Sequence, residues 1–242
     1  MGGMGRKFIC FTSLMCVVGM LTTVGLKASD GAEVDYGREW SPYVTLRGGW
    51  LFGGDAKGDV TVTGHPEDNG SLKENITNAW SGSGEFGVSC FEDRVLVGLE
   101  LGYFTGKATF EFQSGADRVK FPAEFGNTFG ACNATLRHYF GERAFWYGGV
   151  GVGVVRVFVT ADMLTGDGTK AGCGAKSWNF LGQGFTGFGW CLNDNWQLTV
   201  GYRLRYLSGN TTWSAGSDVD GMELKMKQDL SHAAEIGVVW RW

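Results

Sequence analysis

Long apolar runs are nearly missing from this chain. Beyond residue 28 no stretch of 18 apolar residues occurs, which excludes crossing a membrane by helices. Proline is scarce, with 3 in 242 residues. Glycine is abundant but follows no three-residue period, so collagen and proline-rich linkers are excluded as well. Basic charge is not in excess: Lys and Arg number 21 against 25 Asp and Glu, a net charge of -4. No basic stripe exists to neutralise phosphates, and a nucleic-acid partner is not expected. Histidine is limited to His65, His138 and His232, and no CxxC spacing occurs, so a zinc or redox site has little to build on.

What the chain has instead is glycine, 41 residues, and aromatic side chains, 14% of the total with 10 tryptophans. Both sit inside segments that alternate with period two, the mark of strands with one apolar and one polar face. The stretch 184–207 shows the pattern best. After the turn residues Asn193, Asp194 and Asn195, one face reads Trp196, Leu198, Val200, Tyr202, Leu204, Tyr206 and the other Gln197, Thr199, Gly201, Arg203, Arg205. Seven further segments follow the same rule: around Tyr43–Phe52, Trp80–Ser89, Val95–Phe104, Cys132–Arg137, Phe145–Phe158 (with a bulge expected near Arg156), the strand before Asn193, and Ser231–Trp242.

Alternation alone fits a soluble sandwich as well as a membrane barrel. Loop lengths separate the two. Tight turns at Glu92-Asp93, Gly141-Glu142 and Asn193–Asn195 alternate with long polar connections over about 53–79, 107–126, 161–176 and 208–226. An even strand number with short turns on one side and long loops on the other is the layout of a bacterial transmembrane barrel. Each apolar face is about five alternate residues long, matching the ~9 to 11 residues of a tilted membrane strand. Trp146, Trp190, Trp196, Trp240 and Trp242 gather near the short turns, and Trp50, Phe52, Trp80, Tyr103 and Tyr206 toward the long loops, as two interfacial girdles. The prediction is an all-β, eight-stranded antiparallel transmembrane β-barrel wound as an up-and-down meander over residues 42–242.

The hairpin FGWCLNDNWQLTVGYRLRY, the NATLRHYFG end of strand four, the GGVGVGV of strand five and the closing EIGVVWRW together resemble the small eight-stranded outer-membrane barrels of the OmpA, OmpX and opacity-protein type. That resemblance implies a place in the bacterial outer membrane. It also implies that Ile236, Val238, Trp240 and Trp242 form a C-terminal assembly signal. The implied partners are outer-membrane lipid and lipopolysaccharide, with periplasmic chaperones and the barrel-assembly machinery during biogenesis. Activity does not follow, because this fold hosts adhesins, anchors, channels and enzymes.

The N-terminus carries Arg6 and Lys7, a mostly apolar stretch from Phe8 to Leu26, and Lys27-Ala28, the layout of a signal peptide over 1–28 cleaved after Ala28. Residues 29–41 are then a short periplasmic segment. Of the four cysteines left, Cys90 and Cys191 fall near one rim, Cys132 within a strand and Cys173 in a loop at the other end, so mostly unpaired thiols are expected.

Catalysis finds no support. Ser231 and His232 point to opposite faces of a strand, and the His-x-Ser-Asn pattern of lipid A deacylases is missing. Asp218-Val219-Asp220-Gly221 with Glu223 lacks full calcium-loop spacing, and Gly166, Gly168 and Gly172 lack a nucleotide-binding one, so neither a metal nor a cofactor is expected. The inward face does carry charge. Arg47, Glu85, Glu100, Arg203 and Glu235 fall at similar depth, with Arg205 one layer higher. An eight-stranded lumen is only wide enough for side chains, so these six are expected to pair, with Glu235 bridging Arg47 and Arg203. The functional expectation is a non-enzymatic barrel with a structural or adhesin-like role through long extracellular loops. The alternative is a narrow channel for small solutes, and a lipid-modifying enzyme ranks below both. No extracellular ligand can be read from the residues, although the first long connection, with five acids against Lys57 and Lys73, is acidic.

Overall fold

The computed structural model describes residues 40–54, 57–62, 70–114, 117–164, 170–215 and 222–242. The expected signal peptide, and all but the last two residues of the expected 29–41 segment, lie outside the described residues. Among the described residues there are nine strand segments: β1 (Ser41–Gly54), β2 (Lys57–Val62), β3 (Gly70–Cys90), β4 (Val95–Ser114), β5 (Asp117–Phe140), β6 (Ala144–Leu164), β7 (Lys170–Cys191), β8 (Trp196–Ala215) and β9 (Met222–Arg241). Each consecutive long strand pairs antiparallel with the next, and β1 pairs with both β3 and β9, closing the sheet. β2 continues the place of β1 in the wall, wedged between β3 and β9. Nine segments thus fill eight wall positions, the predicted up-and-down barrel.

Through the belt every strand is paired on both sides, the β7–β8 ladder running unbroken from Phe180 to Cys191, which is what a sheet needs before it can sit in hydrocarbon. The outward faces carry the apolar parity along their whole circumference: Leu46, Phe86, Leu99, Leu101, Val150, Val154, Val200 and Ile236 are all exposed. In a chain folding in water these would be buried, so the belt is the lipid-facing surface. Both expected girdles are in place on this outer face, and Trp178 and Phe180 extend the one nearer the long connections.

The turns are short at one end: 91–94, 141–143 and 192–195. The first is unusual, since Phe91, Glu92 and Asp93 all adopt positive φ (55, 56 and 63°), a region that costs non-glycine residues energy. Asp93 holds it, accepting a 2.5 Å hydrogen bond from Ser89 Oγ and forming an ion pair with Arg241. Arg241 Nη2 also donates to the Asp194 carbonyl at 3.0 Å, so one side chain ties the first turn to the third.

The opposite end departs from the sequence reading. Most of the four connections predicted as loops is strand: β3 begins at Gly70, β4 runs to Ser114, β5 starts at Asp117, and β8 and β9 extend through Ala215 and from Met222. From β3 onward the strands are 20 to 24 residues long. At ~3.3 Å per residue and ~40° of tilt they rise roughly 50 to 60 Å, about twice the hydrocarbon thickness. Cys173, expected in a loop, lies in β7 and pairs with Ala161 and Ala215 across its two ladders. The bulge expected near Arg156 is not there, because registers run unbroken past it on both sides. The break in pattern comes from an outward polar side chain, not from an extra residue. Register shifts occur instead at Phe52/Gly54, Lys57/Gly58, Ile76/Asn78 and Ser208/Thr211, all toward the loop end.

Candidate functional site in the barrel lumen

Inward residues of the belt region are polar, and they meet at the barrel axis. Glu85 and Glu100 stand directly opposite each other on β3 and β4, an arrangement that like charges oppose. Cations from both sides resolve it. Arg47 Nη1 lies 2.8 Å from Glu85 Oε2 and 3.7 Å from Glu100 Oε1. Arg203 Nη1 lies 2.8 Å from Glu100 Oε2, while its Nε lies 2.8 Å from Glu235 Oε2. Arg205 Nη2 completes the chain at 2.8 Å from Glu235 Oε1. Three arginines and three glutamates thus form one neutral, connected network. All six residues singled out in the sequence belong to it. Its wiring differs from the sequence reading in one respect: Glu235 bridges Arg203 and Arg205, and Arg47 turns to Glu85 and Glu100. Glu235 stands opposite Gly201 on β8 and Gly49 on β1, so Arg203 and Arg47 are each two residues from its level and Arg205 four; register alone does not choose between them, and Arg47 turns instead to Glu85 and Glu100 on the β3–β4 side.

Four neutral residues complete the site and were not singled out. Asn133 Nδ2 donates to Glu85 Oε2 and Glu100 Oε2, both at 2.7 Å. Gln183 Nε2 donates to Glu100 Oε2 at 2.9 Å and to Asn133 Oδ1 at 2.7 Å. Ser83 Oγ donates to Glu100 Oε1 at 2.6 Å, and Tyr43 Oη to Glu85 Oε1 at 2.5 Å. Ser83, Asn133 and Gln183 lie on the inward parity at the depth of the charges, so a search for any polar residue at that depth finds them, whereas Tyr43 reaches up from four residues nearer the turns than Arg47; a search for charges alone finds none of the four. Such packing needs bare backbone opposite. A Cβ on Gly151 would collide with Asn133 Oδ1 and come within 2.9 Å of Gln183 Cγ, and one on Gly98 would collide with Tyr43 Oη.

The network is covered above and below. Toward the loop end, Leu51, Phe104, Phe129, Val155 and Leu181 are buried in the lumen. The Arg205 guanidinium carbon lies 5.6 Å from the Phe104 ring centre and 5.5 Å from that of Phe129. Toward the turns, Tyr43, Leu96 and Val239 form a buried cluster, and Phe145 packs beneath the Arg137 guanidinium at 4.8 Å. Arg137 stands apart from the network: its buried Nε and Nη1 have no hydrogen-bond partner.

The remaining candidates do not assemble into a catalytic group. Ser231 is buried on the inward face, whereas His232 lies outside, hydrogen-bonded through Nδ1 to Tyr202 Oη and stacked on Phe52. His138 packs edge-on against Phe140. Among the described residues no three His, Cys, Asp or Glu side chains converge as a metal site. His65, Gly166, Gly168 and 218–221 lie outside the described residues. Cys90, Cys132 and Cys191 carry free thiols. Ile236, Val238, Trp240 and Trp242 all face outward, with Trp240 stacked on Trp242 at 4.2 Å between ring centres.

No protein-family model matches the chain, and no curated protein sequence does. Solved structures match its shape. The outer membrane protein OprG from Pseudomonas aeruginosa is 16% identical with a TM-score of 0.54, over 84% of this chain and 97% of that one. The outer membrane protease OmpT from Escherichia coli is 10% identical with a TM-score of 0.53, over 89% and 100%. Neisserial surface protein A is 13% identical with a TM-score of 0.47, over 83% and 97%. What OprG and OmpT share with this chain is the fold. Together with the continuous apolar belt, that fold makes the chain a transmembrane β-barrel of the bacterial outer-membrane type, and the resemblance to small barrels of the OmpA, OmpX and opacity-protein type holds at the level of architecture.

Proposed function

We propose that this protein is a closed, non-enzymatic outer-membrane barrel that works through what its loop-side end presents to the surroundings, not through passage of solutes. One observation carries the reading: every charge of the network has a partner of opposite sign, and buried side chains, large apolar ones such as Phe104, Leu181, Tyr43 and Phe145 among them, fill the lumen on both sides of it. An open pore would need hydrated lumen charges, and these are spent on one another. At the loop-side end the described strands continue well past the belt, so contact with a partner would be made at the raised rim they form. In this reading the outward Ile236, Val238, Trp240 and Trp242 direct assembly by the barrel-assembly machinery, and lipopolysaccharide is the lipid neighbour.

Single-channel recording in planar bilayers tests the closed lumen. The wild type should conduct little, and Glu235→Ala, which releases Arg203 and Arg205 together, should raise conductance. A large, steady wild-type conductance indifferent to the substitution would reverse the assignment and make the protein a narrow channel.

A further inference from the structure

Among the described residues, the outer wall carries an arginine that nothing so far explains. Arg156 of β6 lies on the outward parity, directly above Val150, Val152 and Val154, while its neighbour Val155 is fully buried in the lumen. Its guanidinium carbon sits 4.8 Å from the Phe158 ring centre and 5.7 Å from that of Trp178, its cross-strand partner on β7. Two aromatic faces thus hold the group in place and shield part of it, yet among the described residues it makes no ion pair. The outward acid of neighbouring β5, Glu124, is engaged by Lys107 at 3.5 Å. On its other ladder Arg156 faces the hydroxyl-bearing Thr128.

Height along the wall says what could answer this charge. Trp146 marks the turn-side girdle on the same strand, ten residues below Arg156. At ~3.4 Å per residue and ~40° of tilt, that separation is a rise of about 26 Å, close to the ~25 Å height of the apolar band. Arg156 is therefore at the outer edge of the hydrocarbon, where lipid phosphates lie. There, partly shielded from water, a guanidinium favours a bidentate anionic partner, and a phosphate fits its fork. We propose that Arg156, held between Phe158 and Trp178, is a binding site for the phosphate of a lipid headgroup in the loop-side leaflet. The proposal rests on the membrane reading given above and adds to it a position and a chemistry.

Native mass spectrometry of the barrel released from nanodiscs tests this, with discs of phosphatidylcholine alone or doped with a phosphorylated glycolipid. The wild type should retain one glycolipid per barrel, and Arg156→Gln should lower retention about tenfold, the loss of one charge-assisted hydrogen-bonded contact. Lys107→Gln should retain the lipid like the wild type, and Trp178→Ala should fall between. Inorganic phosphate at millimolar concentration should not displace the lipid; if it does, the site takes free phosphate and the lipid assignment is overturned. Equal retention by wild type and Arg156→Gln, or none by either, also overturns it. Incorporation into discs is read separately by gel shift of the unheated sample, so a barrel that never enters the bilayer defeats the membrane reading itself and is told apart from a folded barrel without the site.

Discussion

The turn-side and loop-side halves of this wall share one hydrogen-bond ladder but not one side-chain pattern. On the turn side each strand separates its residues by what they face, as at Glu100 and Leu101: the first is fully buried among arginines, the second exposed to lipid. On the loop side the same strands continue, and the exposed Lys107 and Glu124 pair across β4 and β5 without an apolar neighbour between them on that face. The ladder is set by backbone pairing, and the alternation is set by the solvent. Where hydrocarbon ends, water meets the outer face and the requirement for apolar residues lapses while the strands go on.

The largest contrast between the halves should appear at Glu100. Its two oxygens accept from or pair with Arg47, Arg203, Ser83, Asn133 and Gln183. Glu100→Ala leaves three guanidinium groups, those of Arg47, Arg203 and Arg205, sharing Glu85 and Glu235, and strands the amide donors. A loss of about 3 to 5 kcal/mol is expected, the range for breaking a buried ion pair by removing one partner. Urea unfolding of the barrel in lipid vesicles, followed by tryptophan emission, measures it. Glu100→Gln keeps the acceptor oxygen and should cost about half as much. If both variants unfold like the wild type, the lumen is wet and its charges are independently hydrated.

This contrast also explains how much the sequence disclosed. The strands of the belt and the parity of each were legible because a lipid face and a lumen face impose opposite chemistry on neighbouring residues. The six charges of the network were legible for the same reason, since a polar residue on a wall of known parity has nowhere else to point. The extension of β3, β4, β5 and β8 past the belt was not, because the outward face no longer has to be apolar there and the Gly, Asp, Asn and Ser of these stretches read as loop residues. Of the two partners of Glu235, Arg203 was foreseen and Arg205 was missed, for a different reason. Adjacency of strands names the residues within reach, but the choice between Arg47 and Arg205 depends on rotamers and on Asn133 and Gln183, which occupy the β4 to β7 side of the lumen.

An intermediate effect is expected at the turn-side girdle. Trp242 stacks on Trp240, which in turn packs against Trp196 at 6.3 Å, so the outer face of β8 and β9 ends in a row of three indoles. Trp242→Asp removes one ring from the interface and sets a carboxylate beside lipid, at a cost of about 1 to 2 kcal/mol near the membrane surface. Its consequence should be greater in the cell, where a lower yield of the heat-modifiable folded band in outer-membrane fractions would report impaired assembly. An unchanged yield would remove Trp242 from any assembly signal and leave it as an interfacial anchor only.

The smallest effect should come from the loop side, at Lys107. Its ammonium lies 3.5 Å from Glu124, and both side chains are more than two-thirds exposed, 72% and 74%. A pair in that setting gains little Coulomb energy, costs side-chain entropy and is screened by salt, so Lys107→Ala should shift stability by no more than about 0.5 kcal/mol. Urea midpoints in vesicles at low and at 0.5 M salt check this, and the small difference seen at low salt should vanish at high salt. A shift above about 1 kcal/mol that persists in salt would mean that this stretch of β4 and β5 is shielded from water. The boundary between the halves would then lie higher on the wall than Arg156, and the apolar belt would no longer mark where the membrane ends.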